Sequence, residues 1–396
     1  MLPKPLDALT IADFEELVRA DVGESTTLEF KRELPGSGDG GNVKILREIT
    51  ALANTYGGDL LYGIEERDSI AVAVPGIPNT GMGEQVLRIE SLLRQGVEPP
   101  LVDVQIRPVD IDDARCVLVL RVRKAWSGPH RVTSKGHAHF YGRNSKESFP
   151  MDVTALRAAF GQSELVVERA ERFRSERVQR LLNQRAVVRQ LFDGALLALH
   201  VVPIASFAAG SSTNLWPPSD KRLQHFYPEK AGVSCADPTF EGFVLFDDRR
   251  GPSTAYCHVY RTGCVELVHV LRPVEMLPSS HKYWIVSPWV EQFAILNTER
   301  YTAVLENYGV SGPFLVGLSL IGAQSYALDV ERAPAPYMGS SATLGREWLQ
   351  IQSIYMEQGV PDASAIWRPF IDRIYNAFRR EGSPYWKDDK WIARRL

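Results

Sequence analysis

Apolar positions along the chain change period several times, and each change marks an element. Between Thr10 and Arg19, Ile11, Phe14, Leu17 and Val18 recur at helical spacing, which predicts an amphipathic opening helix. From Thr27 the period becomes two: Leu28 and Phe30 share one face, and Glu29, Lys31 and Glu33 share the other, as in a half-buried strand. Helical spacing returns at Ile45, Leu46, Ile49, Leu52 and Ala53, with Asn42 as the expected cap and Gly57-Gly58 as the stop. Leu60–Ile64 is a short apolar run of buried-strand type that delivers Glu65 and Glu66 at its C-terminal end. Two strands joined through one helix are expected as sheet neighbours, which would bring Glu24 and Glu29 towards Glu66 with Lys31 beside them.

The same patterning predicts strands at Ile70–Val74, Leu101–Val109, Cys116–Lys124 and His137–Arg143, and helices at Glu84–Gln95 and Met151–Phe160. Gln162–Arg189 has the composition of an arginine-rich helical linker, and such helices are mostly solvated faces laced with i,i+4 ion pairs. Ala195–Phe207 is strongly apolar and opens a second domain. Strands follow at Phe240–Phe246, Thr254–Arg261 and Val265–Leu271, the last two joined at Arg261-Thr262-Gly263, with helices at Glu299–Tyr308, Gly345–Gly359 and Trp367–Arg379. This mixture predicts an α+β protein: a mixed-sheet domain over residues 1–160, a helical linker over 161–194, and a second α+β domain over 195–396.

Composition narrows the class. The 396 residues suit two or three domains, and a net charge of −3 argues against a surface that coats nucleic acid indiscriminately. Cys116, Cys235, Cys257 and Cys264 are scattered, so no disulfide framework is implied and a reducing cytoplasm is expected. Met1-Leu2-Pro3-Lys4-Pro5 lacks the apolar core of a signal peptide, and no run of about eighteen apolar residues suggests a membrane span.

Charge is nevertheless uneven. From Ala114 to Lys146 there is no acidic residue, yet Arg115, Arg121, Arg123, Lys124, Arg131, Lys135, Arg143 and Lys146 fall there, interleaved with Trp126, His130, His137, His139, Phe140 and Tyr141. Clustered cations bind phosphates and aromatic faces stack on unpaired bases, so Arg121, Arg123, Lys124, Arg131, Lys135, Tyr141, Arg143 and Lys146 are nucleic-acid-binding candidates. The bland alternative is a β-edge protected by positive charge.

Glu24, Glu29 and Glu66 form the second candidate set. Carboxylates crowded together call for a compensating cation, and hard divalent ions such as Mg²⁺ or Mn²⁺ take oxygen ligands and activate water at a phosphodiester. Lys31 would meet the charge developing on the phosphate. The competing reading is a solvated strand face with cross-strand ion pairs. Gly36-Ser37-Gly38-Asp39-Gly40-Gly41 fits the spacing of a dinucleotide loop, but Pro35 precedes it and the strand before it is polar, so it is read as a connector. Cys257, His258, Cys264 and His269 lack paired zinc spacing and are read as incidental to a packed hairpin.

Glu24-Ser25-x-x-x-Glu29-Phe30-Lys31, a helix ending Ala51-Leu52-Ala53-Asn54-Thr55-x-Gly57-Gly58, and a strand ending Gly63-Ile64-x-Glu66 together resemble the Schlafen core, or divergent AlbA-like, domain. The resemblance covers about the first 160 residues, and Tyr141-Gly142-Arg143-Asn144-Ser145 resembles the family's late strand. It implies a metal-dependent endoribonuclease acting on tRNA or other structured RNA, with DNA as the less expected nucleic-acid partner. By position, Glu24, Glu29 and Glu66 would be its metal ligands and Lys31 its basic residue. Glu66 stands where the family has aspartate. The resemblance implies that two such lobes pair into a basic groove, and this chain carries the motif once, so a homodimer is expected, the alternative being a monomer whose second domain supplies the other wall. By the same analogy an antiphage or toxin effector restrained by a regulatory partner acting through the second domain is expected. The alternatives are a non-catalytic nucleic-acid sensor or transcriptional regulator and, third, a nucleotide-binding protein.

Overall fold

The computed structural model describes residues 1–101, 104–126, 128–136, 138–208, 215, 226, 235–248, 250–272, 283–310, 312–329, 342–356, 362–387 and 390–392. The chain divides into two units, Met1–Leu165 and Val166–Leu396. The division falls inside one continuous helix.

Unit 1 opens with α1 (Ile11–Arg19), whose N-terminus is closed by Asp13 accepting from the Thr10 amide at 2.9 Å. Then follow β1 (Leu28–Lys31), α2 (Asp39–Ala53), β2 (Gly58–Tyr62), β3 (Glu65–Arg67), β4 (Ile70–Ala73), β5 (Ile77–Pro78) and α3 (Met82–Gln95). After α3 come β6 (Val97–Glu98), β7 (Val104–Asp110), β8 (Arg115–Val122), β9 (Arg131–Val132), β10 (His139–Arg143) and β11 (Ser148–Pro150). The main sheet runs β1-β2-β8-β5 with β7 also on β8; β1 and β2 are parallel neighbours joined through α2, as the pattern predicts. A second, antiparallel sheet runs β11-β10-β9-β6.

The β8 sequence is apolar without alternation because both of its faces are covered. Cys116, Leu118, Leu120 and Val122 join the core beneath α2 and α3, whereas Val117 and Val119 join the core beneath α1. Leu28 and Phe30 of β1 belong to the α1 core. Glu29 therefore points the other way, and it is not on a solvated face: it is 3% exposed.

Three expectations for unit 1 need correction. Helix α2 begins at Asp39 behind Gly38 rather than at an Asn42 cap, so Gly40 and Gly41 lie in its first turn. Asn42 instead accepts a hydrogen bond from Arg88 Nη1 at 2.8 Å. Strand β2 ends at Tyr62, since Gly63 takes φ 102° and turns the chain into the separate β3–β4 hairpin. The predicted helix over Met151–Phe160 and the first part of the predicted linker form one helix, α4 (Val153–Leu182).

In unit 2 an eight-stranded antiparallel sheet contains β12 (Ala195–Pro203), β13 (Cys235–Pro238), β14 (Gly242–Phe246), β15 (Ala255–Tyr260) and β16 (Val265–Leu271). β17 (Tyr283–Val286) precedes α5 (Ser287–Asn307), and β18 (Phe314–Ile321) continues the main sheet. β19 (Tyr326–Asp329) pairs with β17 in parallel, while β20 (Trp348–Gln350) and β21 (Ile354–Met356) both pair with β18. The helix predicted over Gly345–Gly359 is thus two short strands as far as residue 356; residues 357–359 lie outside the described part. α6 (Ser364–Ala377) follows, and α5 and α6 contribute to the larger core on one sheet face. Val178 and Leu181 of α4 pack on the opposite face with Ala198, Tyr256 and Val268. The arginines of α4 are not all solvated: Arg174 and Arg177 are 1% and 3% exposed.

Candidate functional site

Parallel pairing of β1 with β2 beneath α2 places Glu29 and Lys31 on the α2 side of the sheet. There Glu29 forms ion pairs with both Lys31 and Arg143. Lys31 Nζ also lies 3.8 Å from Glu24 Oε1, and that same oxygen accepts the Phe30 amide at 3.0 Å. Arg143 reaches β1 from β10, donating through Nε to Ser25 O at 3.1 Å and through Nη2 to Leu28 O at 3.3 Å. Its Nη1 stands 3.9 Å from Glu48 on α2. Ser148 donates to Glu48 at 3.0 Å and accepts from Arg47 Nε at 2.7 Å. A connected cluster results, in which Glu24, Glu29 and Glu48 face Lys31, Arg143 and Arg47.

Desolvation pushes the Glu24 carboxyl above its ordinary range, with Glu29 adding to the effect. Glu48 is raised for the same two reasons. Tyr62, buried beside Glu48 and Glu29, is also raised, mainly by desolvation.

Glu66 is not part of this cluster. It lies exposed on the β3–β4 hairpin, where its carboxylate accepts the Ser69 amide at 2.7 Å and closes a turn with Asp68 at φ 55° and Ser69 at φ 64°. The expected ligand set Glu24, Glu29 and Glu66 is therefore not brought together. A hard divalent ion needs several convergent oxygens with negative charge to spare. Here the three clustered carboxylates meet three cations of their own, so this donor set does not fit Mg²⁺ or Mn²⁺ as arranged. Among the described residues, no group of three or more His, Cys, Asp or Glu side chains is placed to hold a metal ion.

The basic stretch divides into interior and surface residues. Arg121 is buried and pairs with Asp59 through Nε at 2.8 Å and Nη2 at 3.1 Å, while its Nη1 donates to Lys4 O at 2.8 Å. Arg143 is held in the cluster. Tyr141 is 7% exposed, with the Arg47 guanidinium 5.6 Å from its ring centre. These three are structural, which corrects the expectation that they contact nucleic acid. Arg131 is ion-paired with Glu98. Lys146 is exposed, Arg123 and Lys124 are half-buried, and the Lys135 side chain lies outside the described part.

The sequence reading missed Glu48 and Arg47, and one signal was available. Glu48 sits three residues after Ile45 and four before Leu52, inside the apolar stripe of α2, where a charge requires buried partners. The role of Asn54 was also missed. Its Nδ2 donates to His130 O and Tyr141 O, both at 2.9 Å, and its Oδ1 accepts the His130 amide at 2.7 Å, tying the end of α2 to β9 and β10.

Residues 24–152 match the family model described as Schlafen, AlbA_2. No curated protein matches the sequence. Among solved structures, the chain is similar to the crystal structure of the DIP2311 protein from Corynebacterium diphtheriae at 19% identity and a TM-score of 0.24. That alignment covers 36% of this chain and 26% of the other.

Proposed function

We propose that unit 1, in which residues 24–152 match the family model described as Schlafen, AlbA_2, binds nucleic acid, with structured RNA as its preferred partner. The observation carrying this reading is the acid-free stretch from Ala114 to Lys146 in a chain of net charge −3. Arg121 and Arg143 neutralise interior carboxylates, so phosphate contact falls to the exposed Lys146 and the half-buried Lys124. Lys146→Ala then weakens RNA binding about equally for all sequences and lowers the salt slope by about one phosphate contact. Fluorescence anisotropy on labelled RNA at graded salt measures this. A variant with unchanged affinity and slope would remove Lys146 from the interface, and absence of salt-dependent binding by the parent protein would defeat the reading.

A second reading, metal-dependent cleavage of RNA, has one observation in its favour: Glu24 and Glu29 meet at a single ammonium, Lys31. Lys31 is also partly exposed, so it can meet phosphate charge. The three glutamates do not supply a metal site as arranged, so this reading stands second. It requires that tRNA be cut in Mn²⁺ and that Glu29→Ala abolish the cutting.

A further inference from the structure

At the turn between α2 and β2, Tyr56 is 64% exposed, an unusual position for a large aromatic side chain. It lies beside the residues that follow β8. Lys124 Nζ is 5.7 Å from the centre of the Tyr56 ring and 4.5 Å from that of Trp126. One ammonium thus stands over two aromatic rings, and it covers at most one face of each.

The arrangement is held by backbone rather than by chance side-chain contact. The Ala125 amide donates to Ala53 O at 2.8 Å, joining the end of α2 to the segment after β8. Gly57 takes φ 70°, and a Cβ there would come within 2.8 Å of both Lys124 N and Val122 O. The close approach permitted by this glycine fixes Tyr56 relative to Lys124. Beside them is a small cavity lined by Asn54, Lys124, Trp126, Gly128, Ala159 and Gln162. Phe160, itself 46% exposed, packs edge-to-face on Phe140 and lies next to Gly128.

An exposed ring and a half-buried one sharing a cation, on a rigid turn, have the chemistry that binds an unpaired nucleobase. The base stacks on an aromatic face, and the ammonium meets the adjoining phosphate. A solvated ornament would not need two rings, one lysine and a glycine at positive φ in register. We propose that Tyr56, Lys124 and Trp126 form a stacking site for an unpaired nucleotide of RNA. This inference rests on the nucleic-acid reading of unit 1 and adds where a base is held and which strand state is preferred.

The test uses the full chain with two probes: a single-stranded RNA carrying 2-aminopurine and a duplex of the same sequence. The single strand should bind more tightly than the duplex, with the probe's fluorescence quenched by stacking. Tyr56→Ala should weaken single-strand binding roughly ten-fold and relieve the quenching, with duplex binding unchanged. Tyr56→Phe should behave as the parent, since the ring and not the hydroxyl does the stacking, which also controls for folding. Equal single-strand affinity and quenching in Tyr56→Ala and the parent overturns the stacking site but leaves nucleic-acid binding standing. Failure of the parent to bind either probe overturns both.

Discussion

At the residue scale, Arg143 separates a structural reading of the late-strand motif from a recognition reading. From sequence it is one more cation in a basic run. In the fold its side chain is fully buried between Glu29, Glu48 and the β1 carbonyls. Removing one member of a buried ion pair leaves a charge without compensation, at a cost of about 3–5 kcal/mol. Arg143→Met should therefore lower unfolding stability by that order in a denaturant titration. A Glu29→Gln/Arg143→Met double variant should lose less than the sum of the two single losses. If Arg143→Met kept its stability and lost only RNA affinity, Arg143 would belong to the interface after all. The sequence could name Glu24, Glu29 and Lys31 as neighbours, because strand alternation and the βαβ connection fix them. It could not show that Arg143, over a hundred residues away, neutralises Glu29, because nothing local encodes that pairing.

At the scale of elements, α4 shows how much a helix's charge pattern leaves open. Its arginines suggest a solvated linker, and those on its outer side fit that description: Arg172 is exposed and pairs with Glu168 at i,i+4. On the inner side, Arg177 donates to both oxygens of Glu266 on β16, at 2.8 and 2.9 Å, and Tyr256 donates to the same carboxylate at 2.7 Å. His200 Nε2 lies 3.1 Å from it. Arg174 donates to Ile351 O at 2.7 Å and Leu318 O at 3.1 Å, and it approaches Gly317 so closely that a Cβ there would collide with the guanidinium. The strands themselves were legible as short apolar runs on either side of the turn at Arg261-Thr262-Gly263. Glu266 and His200 are polar residues within apolar runs, but nothing in those runs points to a partner on α4.

This network makes acid sensitivity a property of the sheet. Burial lowers His258 to about 4 and also lowers His200, and hydrogen bonds from His200 and Arg177 hold Glu266 well below the usual carboxylate range despite its burial. Between pH 6.5 and 4 the unfolded chain therefore binds protons that the folded sheet does not, so stability falls as pH falls. His258 alone accounts for about 3 kcal/mol of that loss, on the order of 1.4 kcal/mol per pH unit. Thermal melts from pH 7.5 to 4.5 should show a steady fall in Tm that His258→Gln reduces. A pH dependence left unchanged by His258→Gln would contradict a neutral buried His258.

At the scale of the whole molecule, the α+β class was readable from period changes and turn glycines. The gathering of its acids was not. Gly63 ends β2 two residues early and carries Glu66 onto another hairpin, and the cations that answer Glu24, Glu29 and Glu48 come from three separate elements. No helix among the described residues is long and apolar enough to cross a membrane. Unit 1, proposed to bind nucleic acid, carries an acidic cluster that meets cations of its own. Binding of labelled tRNA by the full chain, followed in parallel in EDTA and in Mn²⁺, tests that most directly. The account predicts equal affinity in both, weakening as salt rises, with the tRNA intact. Binding that disappears in EDTA at low salt, or tRNA cut in Mn²⁺ by the parent but not by Glu29→Ala, would contradict it.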